Sequence, residues 1–257
     1  MTTTTECRLL IDPPSPGAWN MAVDEVLLDW SAAEGGCCWR FYRWEEPTLS
    51  LGYFQDYADR WQHEASRDCP IVRRLTGGGT LLHDQELTYS IVVPTGHPLA
   101  VGRHTLYETV HNSLISVLAR FGVRAQLCAP AGDSNSVTVD PEAEPFLCFE
   151  RRSPSDVVVG STKVAGSAQR RRRGAVLQHG SVLLTRSQAA PELGALNDLV
   201  EESVDVERLV EAWSSALSEH LAVTWRREAL SQRQHRRAAA LMERRYATTR
   251  WTEHRGR

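Results

Sequence analysis

Apolar residues recur at helical spacing in three parts of the chain, and each part predicts a helix. The first helix is predicted over about residues 19–33, with Asn20 available as its N-cap. The second carries one apolar face over residues 106–121 and stops at Gly122, a residue type that commonly ends helices. The chain from about residue 204 onwards is helical again.

Runs of aromatic and branched residues separate these helical parts and predict β-strands. Two strands and a turn are expected in CCWRFYRWEEPTLSLGYFQ. A short strand, a glycine loop and two further strands are expected in CPIVRRLTGGGTLLHDQELTYSIVVP. A three-strand meander is expected in DVVVG, TKVAGSAQ and AVLQHGSVLL. Long helices between clustered antiparallel strands predict an α+β fold with a mixed, largely antiparallel sheet.

Bulk properties exclude several classes of protein. A chain of 257 residues with 42% hydrophobic content can bury a substantial core, and its net charge of -3 argues against a dedicated nucleic-acid binder. No apolar run reaches the roughly 18 residues that span a bilayer, and the N-terminus lacks a secretory signal, so a cytoplasmic protein without membrane contact is expected. The six cysteines include no CxxC pair, so neither a metal site nor a disulfide is expected. Residues 129–145 have the composition of a surface loop.

A glycine loop is the first candidate binding element. Gly77, Gly78 and Gly79 lie between two predicted strands, where glycine allows a ligand to approach the backbone closely. Arg74 precedes the loop and His83 follows it, which favours a ligand site over the alternative, a tight hairpin.

Small and polar residues interrupt two strands of the predicted meander. They are Gly166, Ser167, Ala168 and Gln169 on one strand and His179 and Gly180 on the next. Glycine inside a strand commonly marks a bulge or a close ligand. Apolar residues frame these positions, so a pocket floor is favoured over the alternative of an exposed edge strand.

Lysine occurs once in the chain, at Lys163, against 28 arginines. Arginine cannot release its proton in a protein, whereas a lysine in a dry pocket can act as acid and base in turn. Lys163 is therefore a candidate for proton transfer, with mutational accident as the alternative. Cys148, where the polar loop returns to the core, gains interest beside it, because a nearby ammonium stabilises a thiolate. On its own, Cys148 would be a small buried apolar residue. Cys69 and Cys128 are the fallback thiols.

Residues 170–173 are four consecutive arginines followed by glycine. Such a run is typical of a solvated hairpin turn, and docking of an acidic partner is the alternative.

Six sequence blocks resemble the lipoate/octanoate protein-transferase and ligase superfamily, which shares its catalytic fold with biotin protein ligases. Five of these stretches are NMAVDEVLL, RFYRWEEPTLSLGYFQ, RRLTGGGTLLHDQELTYSIVVP, CFERRSPSDVVVGSTKVAGSAQRRRRGAVLQHGSVLL and the closing RRYATTRW. Within it, the chain is most similar to the octanoyltransferases that use a cysteine followed by phenylalanine. In that branch the cysteine precedes the lysine by fifteen residues, as Cys148 precedes Lys163 here.

This resemblance implies acyl transfer through a covalent intermediate. Cys148 would accept an octanoyl group from octanoyl-acyl carrier protein, and a lysine of a lipoyl-accepting protein would then take it. That acceptor would be the glycine-cleavage carrier or a dehydrogenase lipoyl domain. Lys163 would assist both steps, and no cofactor would be needed. The resemblance also implies a catalytic domain over residues 1–203, with residues 204–257 as a helical segment packed on it.

The same resemblance gives the remaining candidates a role in holding substrate. The acyl tunnel would be lined by Arg74, Gly77, Gly78, Gly79, His83, Gly166, Ser167, Ala168, Gln169, His179 and Gly180.

Two departures from the family pattern keep alternatives open. Gly79 replaces an arginine common in the cysteine branch and matches the ATP-dependent lipoate ligases. After Cys148, ERRSPSD replaces a segment that usually has a proline, an aromatic residue and an acid, and Asp156 stands in for the acid. The alternatives are a lipoate-protein ligase, an amidotransferase that moves octanoyl groups between carrier proteins, and a carrier-binding module without activity.

Overall fold

The computed structural model describes residues 5–102, 104–129 and 145–256. Most of the loop predicted at 129–145 therefore lies outside the described residues. Within them, the strands are β1 (Thr5–Ile11), β2 (Cys38–Tyr42), β3 (Thr48–Leu51), β4 (Ile71–Arg73), β5 (Leu81–His83), β6 (Glu86–Pro94), β7 (Ala125–Leu127), β8 (Val157–Val159), β9 (Thr162–Arg172), β10 (Ala175–Leu183) and β11 (Val223–Arg227). The α-helices are α1 (Gly17–Glu34), α2 (Thr105–Arg120), α3 (Val206–Leu221), α4 (Gln232–Leu241) and α5 (Thr249–His254).

Eight of these strands form one mixed sheet in the order β11-β1-β2-β6-β10-β9-β8-β7. The pairs β11/β1 and β1/β2 are parallel and the others are antiparallel. The predicted α+β class and the largely antiparallel sheet are therefore confirmed. The predicted meander corresponds to β8, β9 and β10, which are neighbours in this sheet.

Helices cover both faces of the large sheet because its strands alternate between two apolar clusters. On β2, Trp39 and Phe41 face the cluster that α2 and α3 complete, while Cys38 and Tyr42 face the cluster around α1. This alternation is the expected consequence of the two-residue period of a strand. The arrangement is a three-layer sandwich of helix, sheet and helix.

A separate three-stranded sheet, ordered β4-β3-β5, lies beside the large one. It has its own apolar cluster, which includes Leu49, Leu82 and Leu147. The predicted glycine loop connects β4 to β5, so this small sheet positions it. The sequence predicted these strands but not that they leave the main sheet.

The first helix begins earlier than predicted, at Gly17, and its N-cap is Pro16 instead of Asn20. Asn20 lies buried inside the helix, where its amide donates to the backbone carbonyls of Ser15 and Arg43. The prediction of an Asn20 cap is wrong because this side chain ties the helix to the loop after β2. The second helix ends shortly before Gly122, as predicted. Gly122 itself has a left-handed conformation (φ 77°).

Three strands escaped prediction. β1 and β11 pair in parallel with one another, and β7 pairs with β8. Because of β11, the part of the chain from residue 204 onwards is not helical throughout. The division at residue 203 stays a prediction.

The arginine run folds back onto the protein. Arg170 stacks over the Tyr53 ring at 5.1 Å, Arg171 donates to the Ala100 carbonyl, and Arg172 pairs with Glu25 at 2.6 Å. Arg171 and Arg173 are nevertheless exposed, and the side chain of Arg173 is 67% exposed. The run therefore contributes contacts that hold the β9–β10 hairpin, so it is not a fully solvated turn, and docking of an acidic partner stays a prediction.

Glu25 ties that hairpin and the C-terminal segment to α1. Its buried carboxylate accepts hydrogen bonds from Arg172 and Arg245 at 2.6 Å and from the Tyr246 hydroxyl at 2.7 Å. Burial alone would raise the pKa of Glu25, but these donors outweigh burial and hold it below the usual 4.5.

The stability of the fold is expected to depend on this carboxylate in acid. A carboxyl whose pKa is lowered by folding contributes stability above about pH 4.5, and the contribution is lost as pH falls through the folded value. Replacing Glu25 by glutamine should cost about 2–3 kcal/mol at pH 7 and flatten the acid limb of the stability curve. Urea unfolding between pH 3 and 7 measures both effects. Glu243→Gln, on an exposed residue, serves as the control. A Glu25→Gln protein with the wild-type acid limb would contradict this assignment.

No helix among the described residues has both the length and the apolar character to cross a membrane.

Candidate active site

One cavity of about 460 Å³ lies where the two sheets, α2 and the segment after residue 145 meet. This volume is in the range of small-molecule sites. Its apolar walls come from Met21, Tyr42, Trp44, Leu81, Tyr107, Phe149 and Ala168. An alkyl chain would find continuous apolar contact there.

The sequence-predicted site residues converge on this cavity. Cys148, Lys163, Arg74, Gly77, Gly78, His83, Gly166, Ser167, Ala168, Gln169, His179 and Gly180 line it. Gly79 does not line it but lies directly behind Cys148. A Cβ atom at Gly79 would be 3.4 Å from the Cβ of Cys148. The structure thus brings together residues that lie more than a hundred positions apart in the chain.

Cys148 is held against the small sheet. It opens a short 3-10 turn, Cys148–Glu150, and its backbone N–H donates to the carbonyl oxygen of Thr80 at 2.7 Å. Glycine at position 79 leaves room for this approach. Among the cysteines, all of which are described, only Cys148 lines the cavity, which weighs against the fallback thiols Cys69 and Cys128.

Lys163 reaches the same place from β9. Its ammonium pairs with the Asp156 carboxylate at 2.8 Å, and both side chains are less than a tenth exposed. The ammonium also donates to the backbone carbonyl oxygens of Cys148 and Arg151, both at 3.3 Å. Lys163 therefore lies beside Cys148, as expected, but its ammonium contacts the backbone carbonyl of the cysteine. Asp156 takes up its charge.

The ion pair fits only because Gly166 has no side chain. A Cβ atom there would lie 2.8 Å from Cε of Lys163 and 3.1 Å from Oδ1 of Asp156. Both contacts are too close, so the pair would have to move.

We expect Gly166→Ala to lower the activity of the site by at most about a hundredfold, because even a displacement of about 1 Å in a reacting group costs about that much. Gly96→Ala is the matched control, since no atom lies within 4 Å of a Cβ at Gly96. Steady-state rates and melting temperatures of the two variants make the comparison. A Gly166→Ala enzyme with the rate of the control would rule out this steric role.

A buried relay supports the glycine loop. Nδ1 of His179 lies 3.1 Å from the Asp24 carboxylate, and its Nε2 lies 2.7 Å from the Thr76 hydroxyl, next to Gly77. Burial lowers the pKa of His179, which favours the neutral ring, although Asp24 opposes this. In the neutral ring Nδ1–H donates to Asp24, and Nε2 accepts from Thr76.

His83 is oriented in a similar way at the other side of the cavity. Its Nδ1 lies 2.8 Å from Glu86, and its ring stacks on Trp44 with 3.9 Å between centroids. The buried Ser181 hydroxyl donates to the same carboxylate at 2.6 Å. The ring is fixed by these contacts, which a solvated surface histidine would lack.

Sequence reasoning missed the wall that α2 provides. His104, Tyr107 and His111 line the cavity from this helix. Nε2 of His111 lies 3.0 Å from the Ser167 hydroxyl and 3.1 Å from the Tyr89 hydroxyl. The available signal was a buried histidine inside the apolar stripe of a predicted helix.

Comparison with known proteins decides the family. The family model of the lipoyl protein ligase A/B catalytic domain matches residues 16–233. This chain belongs to that family. Among its lipoyl ligase A/B relatives is the octanoyltransferase LipM of Lysinibacillus sphaericus (strain C3-41), which is 34% identical over 91% of this chain and 94% of that protein. The LipM of Symbiobacterium thermophilum is 35% identical over 96% of this chain and 98% of its own length.

Solved structures agree on the fold of this lipoyl ligase A/B domain. A bipartite lipoate protein ligase from Thermoplasma acidophilum, studied with its E2 lipoyl domain, superposes with a TM-score of 0.74. It covers 97% of this chain and 96% of that one at 21% identity, which shows the fold alone. The similarity to the LipM octanoyltransferases places this chain in the LipM branch of the family, and the chain is therefore an acyltransferase.

Proposed function

We propose that this enzyme transfers an octanoyl group from acyl carrier protein to a lysine of a lipoyl-accepting protein, through a thioester on Cys148. The observation that carries this proposal is the meeting of Cys148 and Lys163 at the wall of a single apolar cavity. The octanoyltransferase relatives support the acyl group.

The first step is a thioester exchange. The Cys148 thiolate attacks the carbonyl carbon of the octanoyl thioester, the bond from that carbon to the carrier sulfur breaks, and the carrier thiol leaves after taking a proton. The alkyl chain would lie against Met21, Leu81 and Phe149. One thioester replaces another, so no external energy source is needed.

The second step forms an amide. The amine of the acceptor lysine attacks the acyl carbon on Cys148, and the cysteine sulfur leaves as the carbon–sulfur bond breaks. Lys163 would donate hydrogen bonds at the acyl carbonyl and pass a proton during this exchange. Its present contact with the Cys148 carbonyl, at 3.3 Å, puts the ammonium beside the residue that would carry the acyl group. The free energy falls when a thioester is converted to an amide, so this step is favourable.

The acceptor protein would be a lipoyl domain or the glycine-cleavage carrier. A cavity of about 460 Å³ cannot hold a folded domain, so the acceptor would extend its lysine into the cavity from an exposed turn.

Donor specificity tests the proposal against its alternatives. Purified enzyme should octanoylate a lipoyl domain from octanoyl-acyl carrier protein in buffer without ATP, as followed by the mass of the acceptor. Transfer only from free lipoate or octanoate with ATP would identify a ligase instead. Transfer only from an already octanoylated protein would identify an amidotransferase, and no transfer from any donor would favour a binding module.

A further inference from the structure

Arg74 is a buried cation with no acidic partner in the described part of the chain. Its residue is 2% exposed, and the described carboxylates form their ion pairs with other residues. A buried charge without an opposite charge is costly, so an anion bound near Arg74 would be stabilised by it.

The hydrogen bonds of Arg74 hold its guanidinium in one place. The two terminal nitrogens donate to the backbone carbonyl oxygens of Ser50 at 2.7 Å, Gly77 at 2.9 Å and Gly79 at 2.6 Å. The Nε–H is buried without a partner. Arg74 also lines the cavity, so an anion there would balance its charge.

The thiolate of Cys148 is a candidate for such an anion. The Gly79 carbonyl that Arg74 binds belongs to the residue packed against the Cys148 side chain, where a Cβ would lie 3.4 Å from the Cβ of Cys148. Lys163, by contrast, has its charge taken up by Asp156 and its other hydrogen bonds by two carbonyl oxygens. The pair Lys163–Asp156 is neutral overall, whereas Arg74 is not compensated.

We propose that Arg74, rather than Lys163, is the counter-ion that stabilises the thiolate of Cys148. This rests on the proposed function, in which that thiolate is the nucleophile. Burial lowers the pKa of Arg74 to about 10, and an electrostatic interaction with Cys148 opposes that decrease. Arg74 therefore remains protonated at neutral pH and attracts the deprotonated form of the cysteine. In this arrangement Lys163 is left to serve the acyl carbonyl and the acceptor amine.

Alkylation kinetics test the assignment without any acyl donor. Iodoacetamide reacts with thiolates, and peptide mapping isolates the reaction at Cys148 from that at the other cysteines. We expect Arg74→Gln to slow alkylation of Cys148 about tenfold at pH 7, with the rate recovering at higher pH. Arg74→Lys, which keeps a positive charge, should recover most of the rate.

Two further variants are the comparisons. Arg73→Gln is the matched control, because Arg73 is equally buried and also donates to backbone carbonyls but does not line the cavity. Its alkylation rate should equal that of wild type. The double variant Lys163→Gln/Asp156→Asn removes the neutral pair and should change the rate less than threefold.

The outcomes separate cleanly. A wild-type rate in folded Arg74→Gln overturns the inference, and so does a tenfold loss in the double variant. If Arg74→Gln does not fold, Arg74→Lys and the double variant still test the inference, because a tenfold loss of the alkylation rate in either would overturn it. Failure of wild-type enzyme to take an octanoyl group from the carrier would instead overturn the proposed function, and it would leave the alkylation result standing.

Discussion

Replacing Cys148 by alanine is expected to lower octanoyl transfer at least about a thousandfold, because the proposed thioester cannot form without its sulfur. The protein should fold normally. Cys148 is only partly buried, and its backbone N–H, which donates to Thr80, is unchanged by the substitution. Transfer rates with a lipoyl domain and a thermal melt of the same preparation measure the two properties.

Cys69→Ala and Cys128→Ala are the matched controls for that experiment. Both residues are partly exposed cysteines like Cys148, and neither lines the cavity. Each control should keep the wild-type rate to within a factor of about two. Transfer by Cys148→Ala within tenfold of wild type would show that the reaction proceeds without a cysteine thioester.

Replacing Lys163 by methionine is expected to lower both the stability and the activity of the enzyme. Removing one member of a buried ion pair leaves Asp156 as an uncompensated buried charge, which costs about 3–5 kcal/mol of unfolding free energy. It also removes the only side-chain ammonium of the chain from beside Cys148, so transfer should fall by at least a hundredfold. Urea unfolding and steady-state transfer report these effects separately.

The double variant Lys163→Met/Asp156→Asn distinguishes a role in the reaction from a role in folding. With both charges gone, most of the lost stability should return, because the polar group that remains is neutral. Transfer should stay low, since the proton donor is still missing. A double variant that regains activity together with stability would show that Lys163 serves only the fold.

The parts that the sequence predicted well are those that depend on local chemistry. The glycine loop was visible because three glycines stand between two strands. The separation of Cys148 and Lys163 was visible through the family resemblance. The structure places both features at the cavity. Gly77 and Gly78 line it from the glycine loop, and Lys163 lines it from β9. The strands of the meander and the second helix were equally apparent, since a strong apolar period fixes the type of an element.

The parts that were missed depend on contacts between distant segments. β1 and β11 pair in parallel across more than 200 residues, and no local pattern records that register. Asp156 was noted only as a departure from a motif, and its role became visible when Lys163 was found 2.8 Å away. Arg74 was predicted to line the pocket, but its burial without an acidic partner among the described residues was visible only in the structure.

The central claim is that an octanoyl group passes through the sulfur of Cys148, and the mass of the enzyme during turnover tests it most directly. Enzyme mixed with octanoyl-acyl carrier protein, without acceptor, should gain one octanoyl group. The group should map to Cys148, leave on treatment with neutral hydroxylamine as a thioester does, and move to a lipoyl domain when that is added. An acceptor that becomes octanoylated while the enzyme carries no adduct, or an adduct on a different residue, would contradict the account.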